Sequence, residues 1–222
     1  MRKGLFISII IILIAVGSVF YFHSSETKEE GGSKLGNINN MEQKTLEGKK
    51  IAQIIAFRDF RDEEYFIPHN IFLSAGAEIK TFSTSEGVAI GVNGGEAKVD
   101  GLIDNLDVSD FDAVVFSGGP GCLKYLDNET SYEIAKETLK QGKILGAICI
   151  SPVILAKAGV LEGKRATVWH SIMDKSPVKI LKENGAEFID EKVVRDGNII
   201  TGNGPQAAKE FAEEIVKILT EK

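Results

Sequence analysis

The chain has 222 residues, 43% of them hydrophobic, with a formal net charge of -6 and a pI near 5.3. That length buries one full α/β core without a disulfide or metal staple, and an acidic chain with no basic stripe beyond its N-terminus excludes nucleic acid as a partner. Two cysteines in no recognised spacing and three histidines make neither a disulfide framework nor a zinc-ligand cluster, so no metal and no cofactor is expected.

Arg2 and Lys3 precede a charge-free, mostly apolar run over 5–22, which as a helix approaches the length of a bilayer span. Residues 1–22 therefore read as a membrane anchor. The basic residues ahead of the run place everything after it on the extracytoplasmic side. Cleavage near Ala15-Val16-Gly17 would instead make the run a signal segment and the domain secreted. Residues 23–48, polar and rich in Ser, Glu, Gly and Asn, read as a flexible tether, and the folded domain is expected over 49–222.

Within that domain, the apolar runs 51–57, 113–116 and 144–148 are short, rich in β-branched residues and bounded by turn-formers, the pattern of strands buried on both faces. Helical patterns lie between and after them: 67–75 closed by Gly76, 132–139 closed by Gly142, and 153–158 ending at Gly159. Further on come a strand over 166–169, a helix over 178–184, a hairpin of 192–195 and 198–201 about Asp196-Gly197, and an amphipathic helix over 206–219. The alternation predicts an α/β fold, a doubly wound, mostly parallel sheet with helices on both faces and ligands at the carboxyl ends of its strands.

Cys149 ends one of these strands and is followed at once by a helix, with Ser151 as N-cap and Pro152 at the first helical position. A sulfur on such a corner meets unpaired amides and a positive helix pole that favour the thiolate, the form that attacks electrophiles. The competing reading is a small buried hydrophobe. The loop Gly118-Gly119-Pro120-Gly121-Cys122 follows the neighbouring strand, and its Gly119 amide, paired with that of Ile150, suits an oxyanion hole. The Walker lysine and the dinucleotide glycine spacing are both missing, which argues against a nucleotide site. The acidic stretch Asp59, Asp62, Glu63, Glu64 offers one carboxyl to the sulfur, or else only solvated first-turn charges.

Phe60-Arg61-Asp62-Glu63-Glu64-Tyr65-Phe66-Ile67-Pro68, Asp112-Ala113-Val114-Val115-Phe116-Ser117-Gly118-Gly119, Gly146-Ala147-Ile148-Cys149 and Ala158-Gly159-Val160-Leu161-Glu162-Gly163 together resemble the ThiJ/PfpI (DJ-one-type) superfamily, from about Lys49 to the C-terminus. The resemblance implies a flavodoxin-like fold. It makes Cys149 the elbow cysteine and Glu64 the carboxyl in contact with it, with Gly119 and Ile150 as the oxyanion pocket. It also implies a homo-oligomer. The protease-like branch carries a histidine directly after the cysteine, where this chain has Ile150. His170 stands close to where other branches carry an active-site histidine, with Trp169 as the alternative at that position and a plain loop histidine as the alternative role.

Two functions are compatible with these residues. One is a cysteine-dependent hydrolase or lyase acting on carbonyl groups, glyoxalase- or deglycase-like or peptidase- or amidase-like, whose substrate is a small carbonyl compound or a peptide. The other is a non-enzymatic redox-sensing or chaperone-like stress protein that uses the same oxidisable sulfur. A class I glutamine amidotransferase also uses a cysteine elbow, but it needs a histidine late in the chain, and none follows His170. Cys122 is given no catalytic role, and its pairing with Cys149 is left open because a disulfide needs Cα atoms within about 7 Å.

Overall fold

The computed structural model describes residues 45–221. The segment read as an anchor and most of the tether, His23 included, lie outside the described residues. In chain order the strands are β1 (Lys50–Ile54), β2 (Arg58–Phe60), β3 (Glu78–Ser83), β4 (Val88–Gly91), β5 (Glu96–Lys98), β6 (Gly101–Leu102), β7 (Ala113–Phe116), β8 (Ile144–Ile148), β9 (Arg165–Ala166), β10 (Glu187–Phe188), β11 (Val193–Asp196) and β12 (Ile199–Gly202). The helices are α1 (Asp62–Ser74), α2 (Cys122–Tyr125), α3 (Glu129–Lys140), α4 (Pro152–Lys157), α5 (Ser176–Glu183) and α6 (Ala208–Thr220).

The main sheet runs β11-β12-β8-β7-β1-β3-β6. Its neighbours are parallel except for the β11–β12 hairpin. The five inner strands taken in chain order have the 2-1-3-4-5 winding of flavodoxin-type sheets. Successive side chains of a strand point to opposite faces, so a strand apolar throughout feeds two cores. Val114, Phe116, Leu145 and Ala147 join Ile134, Val153 and Leu181 from α3, α4 and α5. Ala113, Val115, Ile144 and Ile148 join Phe72 of α1 and Phe211 and Ile215 of α6.

Several bounds differ from the sequence reading, for local reasons. The run 51–57 pairs only as far as Ile54, because the chain then leaves the sheet to form β2 in a second sheet, β2-β4-β5. Helix α1 starts at Asp62, five residues before the apolar pattern. Its first turn is all acidic, stabilised by the helix pole but invisible to hydrophobic periodicity. The strand expected over 166–169 is reduced to Arg165–Ala166, with the Thr167 N–H on Thr201 Oγ1 at 2.9 Å and the Trp169 N–H on the Cys149 carbonyl at 2.8 Å. Leu46, inside the stretch read as tether, is fully buried in the α1/α6 core and donates its N–H to Ala75 O at 2.8 Å. Among the described residues no helix is long and apolar enough to cross a membrane.

Candidate active site

Three parallel strands, β1, β7 and β8, end side by side, and the turns that leave them meet around Cys149. Cys149 itself has φ +67°, a left-handed conformation that costs a non-glycine residue about 1–3 kcal/mol and persists only where the surroundings hold it. Here its N–H donates to Gly202 O at 2.8 Å and its carbonyl accepts from Trp169 N–H at 2.8 Å. Ser151 stands at the N-cap of α4 but does not cap it. Its hydroxyl accepts from the Ile148 N–H at 2.9 Å and faces the carbonyls of Phe116 and Ile148 at 2.9 and 2.8 Å, so it bolts the corner to the end of β7.

The acidic stretch resolves into different tasks. Asp62 accepts from the Asn93 and Gly95 amides at 2.8 and 2.7 Å, and Glu63 from the Asn93 side chain at 3.3 Å. Asp59 is exposed. Glu64 alone is turned inward and fully buried. Its Oε2 accepts from the Gly118 N–H at 3.2 Å, and its backbone carbonyl accepts from Ser117 Oγ at 3.2 Å. A side chain at Gly118 has no room: its Cβ would lie 2.7 Å from both Cys149 Cβ and Glu64 Oε2. Gly118 thus measures how closely sulfur and carboxyl approach.

Burial raises Glu64 from the usual carboxylate range to about 7, against the opposing pull of the Cys149 thiol, the Arg61 charge and the Gly118 amide. Its Oε1 is buried without a well-formed hydrogen bond among the described residues. The expectation of a free thiolate at neutral pH is corrected. Burial first, and then the negative charge of Glu64, push the Cys149 thiol well above its ordinary value, with only the Gly119 amide drawing it down. Desolvation outweighs what a six-residue helix can offer in return.

The Gly119 amide reaches the sulfur, and among the described residues the Ile150 N–H donates to no protein acceptor. Both residues of the expected oxyanion pocket line the cavity beside Cys149, with the Gly119 amide turned to the sulfur. Gly119 has φ +107°, and a Cβ there would meet the Arg61 amide nitrogen at 2.4 Å. Cys122 is a buried free thiol, as is Cys149, so the two do not form a disulfide. Burial raises Cys122 far above its normal range.

His170 is not brought to the sulfur. Its ring lies against Phe188, with Nε2 3.4 Å from Asp190 and Nδ1 3.3 Å from Val168 O. Trp169 occupies the cavity wall instead. Successive residues of an extended segment point opposite ways, so a shift of one position exchanges pocket for exterior. His69 is bound to Gln53 at 2.7 Å, away from the cavity. The cavity itself measures about 350 Å³ and is walled by Arg61, Gly119, Cys149, Ile150, Trp169 and Gln206 among others. Arg61 and Gln206 were not singled out in the sequence; the one available signal for Arg61 was a lone cation inside an acidic run. Among the described residues no His, Cys, Asp and Glu cluster can hold a metal ion.

Residues 49–218 match the DJ-1/PfpI family. An uncharacterized protein of Methanocaldococcus jannaschii is 38% identical over 82% of this chain and 87% of its own length. The deglycase PfpI of Pyrococcus furiosus is 33% identical over 74% of this chain and 96% of its own. Among solved structures, a ThiJ/PfpI domain protein of Brachyspira murdochii superposes with a TM-score of 0.74 at 36% identity, covering 78% of this chain and 97% of that one. With this sheet, this cysteine corner and a match over residues 49–218, the chain belongs to the DJ-1/PfpI family.

Proposed function

We propose that the domain is a cysteine-dependent hydrolase or lyase acting on carbonyl groups of small molecules, glyoxalase- or deglycase-like in its chemistry, with Cys149 as nucleophile. One observation carries the reading: the Cys149 thiol shares its buried environment with a carboxyl that titrates near neutral pH, and the sulfur opens on a cavity of small-molecule size. Glu64, as carboxylate, takes the thiol proton while sulfur bonds to the carbonyl carbon. The π pair of the C=O bond moves to oxygen, for which the Gly119 and Ile150 amides are the available donors. With a 1,2-dicarbonyl, Glu64 returns the proton to that oxygen, giving a hemithioacetal, and transfer of a proton from its carbon to the neighbouring carbonyl carbon turns the adduct into a thioester of a 2-hydroxy acid; with an acyl adduct, the oxygen pair re-forms the C=O bond as the bond to the leaving group breaks and that group takes the proton. In both cases water then adds to the thioester, releasing the acid and restoring the thiol.

A base whose proton affinity lies close to the working pH is well matched to such transfers, and it does the work with no histidine in the cavity wall. Cleavage of peptide bonds fits less well, since a cavity of about 350 Å³ suits a small molecule rather than an extended chain. The deglycase name of the Pyrococcus furiosus relative supports a carbonyl-centred reaction. A redox-sensing role would use the same sulfur, with Glu64 again taking its proton; the cavity of small-molecule size beside it favours turnover. The test is turnover of methylglyoxal and of carbonyl adducts by the purified protein. Cys149→Ser is expected to lower it about a thousand-fold or more, and undiminished turnover by that variant removes the nucleophile.

A further inference from the structure

Of the side chains that wall the cavity, only Arg61 and Cys149 ionise, and none is a carboxylate. Arg61 is half-buried, and among the described residues its guanidinium makes no ion pair or hydrogen bond; its charge is felt at Glu64. Of the carboxylates beside it in sequence, Asp62 accepts from the Asn93 and Gly95 amides, and Glu63 accepts from the Asn93 side chain through Oε1 while its buried Oε2 has no hydrogen-bond partner among the described residues. By contrast, Arg195 on the surface is paired with Glu214 and Glu221. The Arg61 backbone is fixed to the nucleophile region, its N–H donating to Gly118 O at 3.1 Å, so the unmatched cation rides on the turn that touches Cys149. A planar guanidinium in a partly desolvated wall is a fork for a carboxylate.

Building on the nucleophile reading above, we infer that Arg61 forms a carboxylate subsite, so that the favoured substrates are carbonyl adducts and dicarbonyls with a carboxylate close to the reacting carbonyl, and simple 2-oxo acids bind as probes of the subsite. The carbonyl carbon sits at Cys149 and the carboxylate at Arg61, both on one molecule small enough for about 350 Å³. Neutral dicarbonyls leave the cation unmatched and bind more weakly.

Trp169, the one tryptophan of the chain, lines the same cavity, so its fluorescence reads occupancy without any turnover. In the Cys149→Ser protein, pyruvate is expected to change that fluorescence at a concentration about tenfold or more below that of its neutral ester, methyl pyruvate. Arg61→Met in the same background should erase the preference and Arg61→Lys keep part of it, with near-ultraviolet circular dichroism confirming that each variant is folded. In the unsubstituted protein, glyoxylate should protect Cys149 from iodoacetamide at lower concentration than methyl glyoxylate. Equal affinity for acid and ester, or a preference that survives Arg61→Met, overturns the subsite. If Cys149→Ser retains turnover while the acid preference persists, the nucleophile reading falls and the subsite stands.

Discussion

Burial holds the proton on Glu64 up to about pH 7, while the Cys149 thiol keeps its own well beyond. Because the proposed chemistry starts from carboxylate and thiol, kcat/KM should rise with pH through about 7 as Glu64 ionises. Glu64→Gln should remove that limb and cost about a hundred-fold or more in rate. Stability runs the other way. A carboxyl whose proton affinity is higher in the folded than in the unfolded chain stabilises fully below its unfolded value, and that contribution is lost as pH rises through the folded one. Chemical denaturation should therefore show on the order of 3 kcal/mol of stability lost between about pH 4.5 and 7, a slope that Glu64→Gln flattens. His170→Ala should turn over within about twofold of the parent, since its ring is spent on Phe188 and Asp190. Cys149 was legible in the sequence because a strand-to-helix corner leaves a mark in residue type. Four acids in six positions carry no such mark. Which one turns inward is decided by the placement of α1 on the sheet, and only the family resemblance pointed to Glu64. The direction of the thiol shift was misread because exposure of a single atom has no signature in a linear pattern.

At the level of elements, the glycine turn after β7 works as a spacer. Gly118→Ala introduces a Cβ 2.7 Å from Cys149 Cβ and 2.8 Å from Ile148 O, neither the far end of a flexible chain. The expected outcome is a loss of about 1–3 kcal/mol in thermal or urea unfolding, together with a fall in turnover larger than the stability loss alone explains, because the acid is pushed off the sulfur. The strands β7 and β8 were readable to the residue, since apolar runs buried on both faces end abruptly at polar or glycine turns. The sheet β2-β4-β5 was not, because three- and four-residue strands with mixed burial give neither alternation nor a continuous apolar run. The shortened β9 has the same origin: its continuation bonds to a side chain and to the cysteine corner rather than to a ladder.

Across the whole molecule, two cores share one sheet, and the core covered by α1 and α6 reaches back to Leu46. Leu46→Ala should cost about 2–5 kcal/mol, read as a lowered denaturation midpoint, and a domain begun at Lys49 should show a comparable deficit. Composition could not place that boundary, because a single leucine in a polar stretch looks like part of the tether until its partners are known. Leu46 packs ahead of β1, at the amino ends of the parallel strands, while Cys149 and its cavity occupy their carboxyl ends. The domain thus has a root and a mouth at opposite poles. Coupling the protein to a bead or an electrode through a linker fused ahead of Leu46 should leave small molecules free to come and go, whereas the same linker grafted near Pro205 would stand in the doorway.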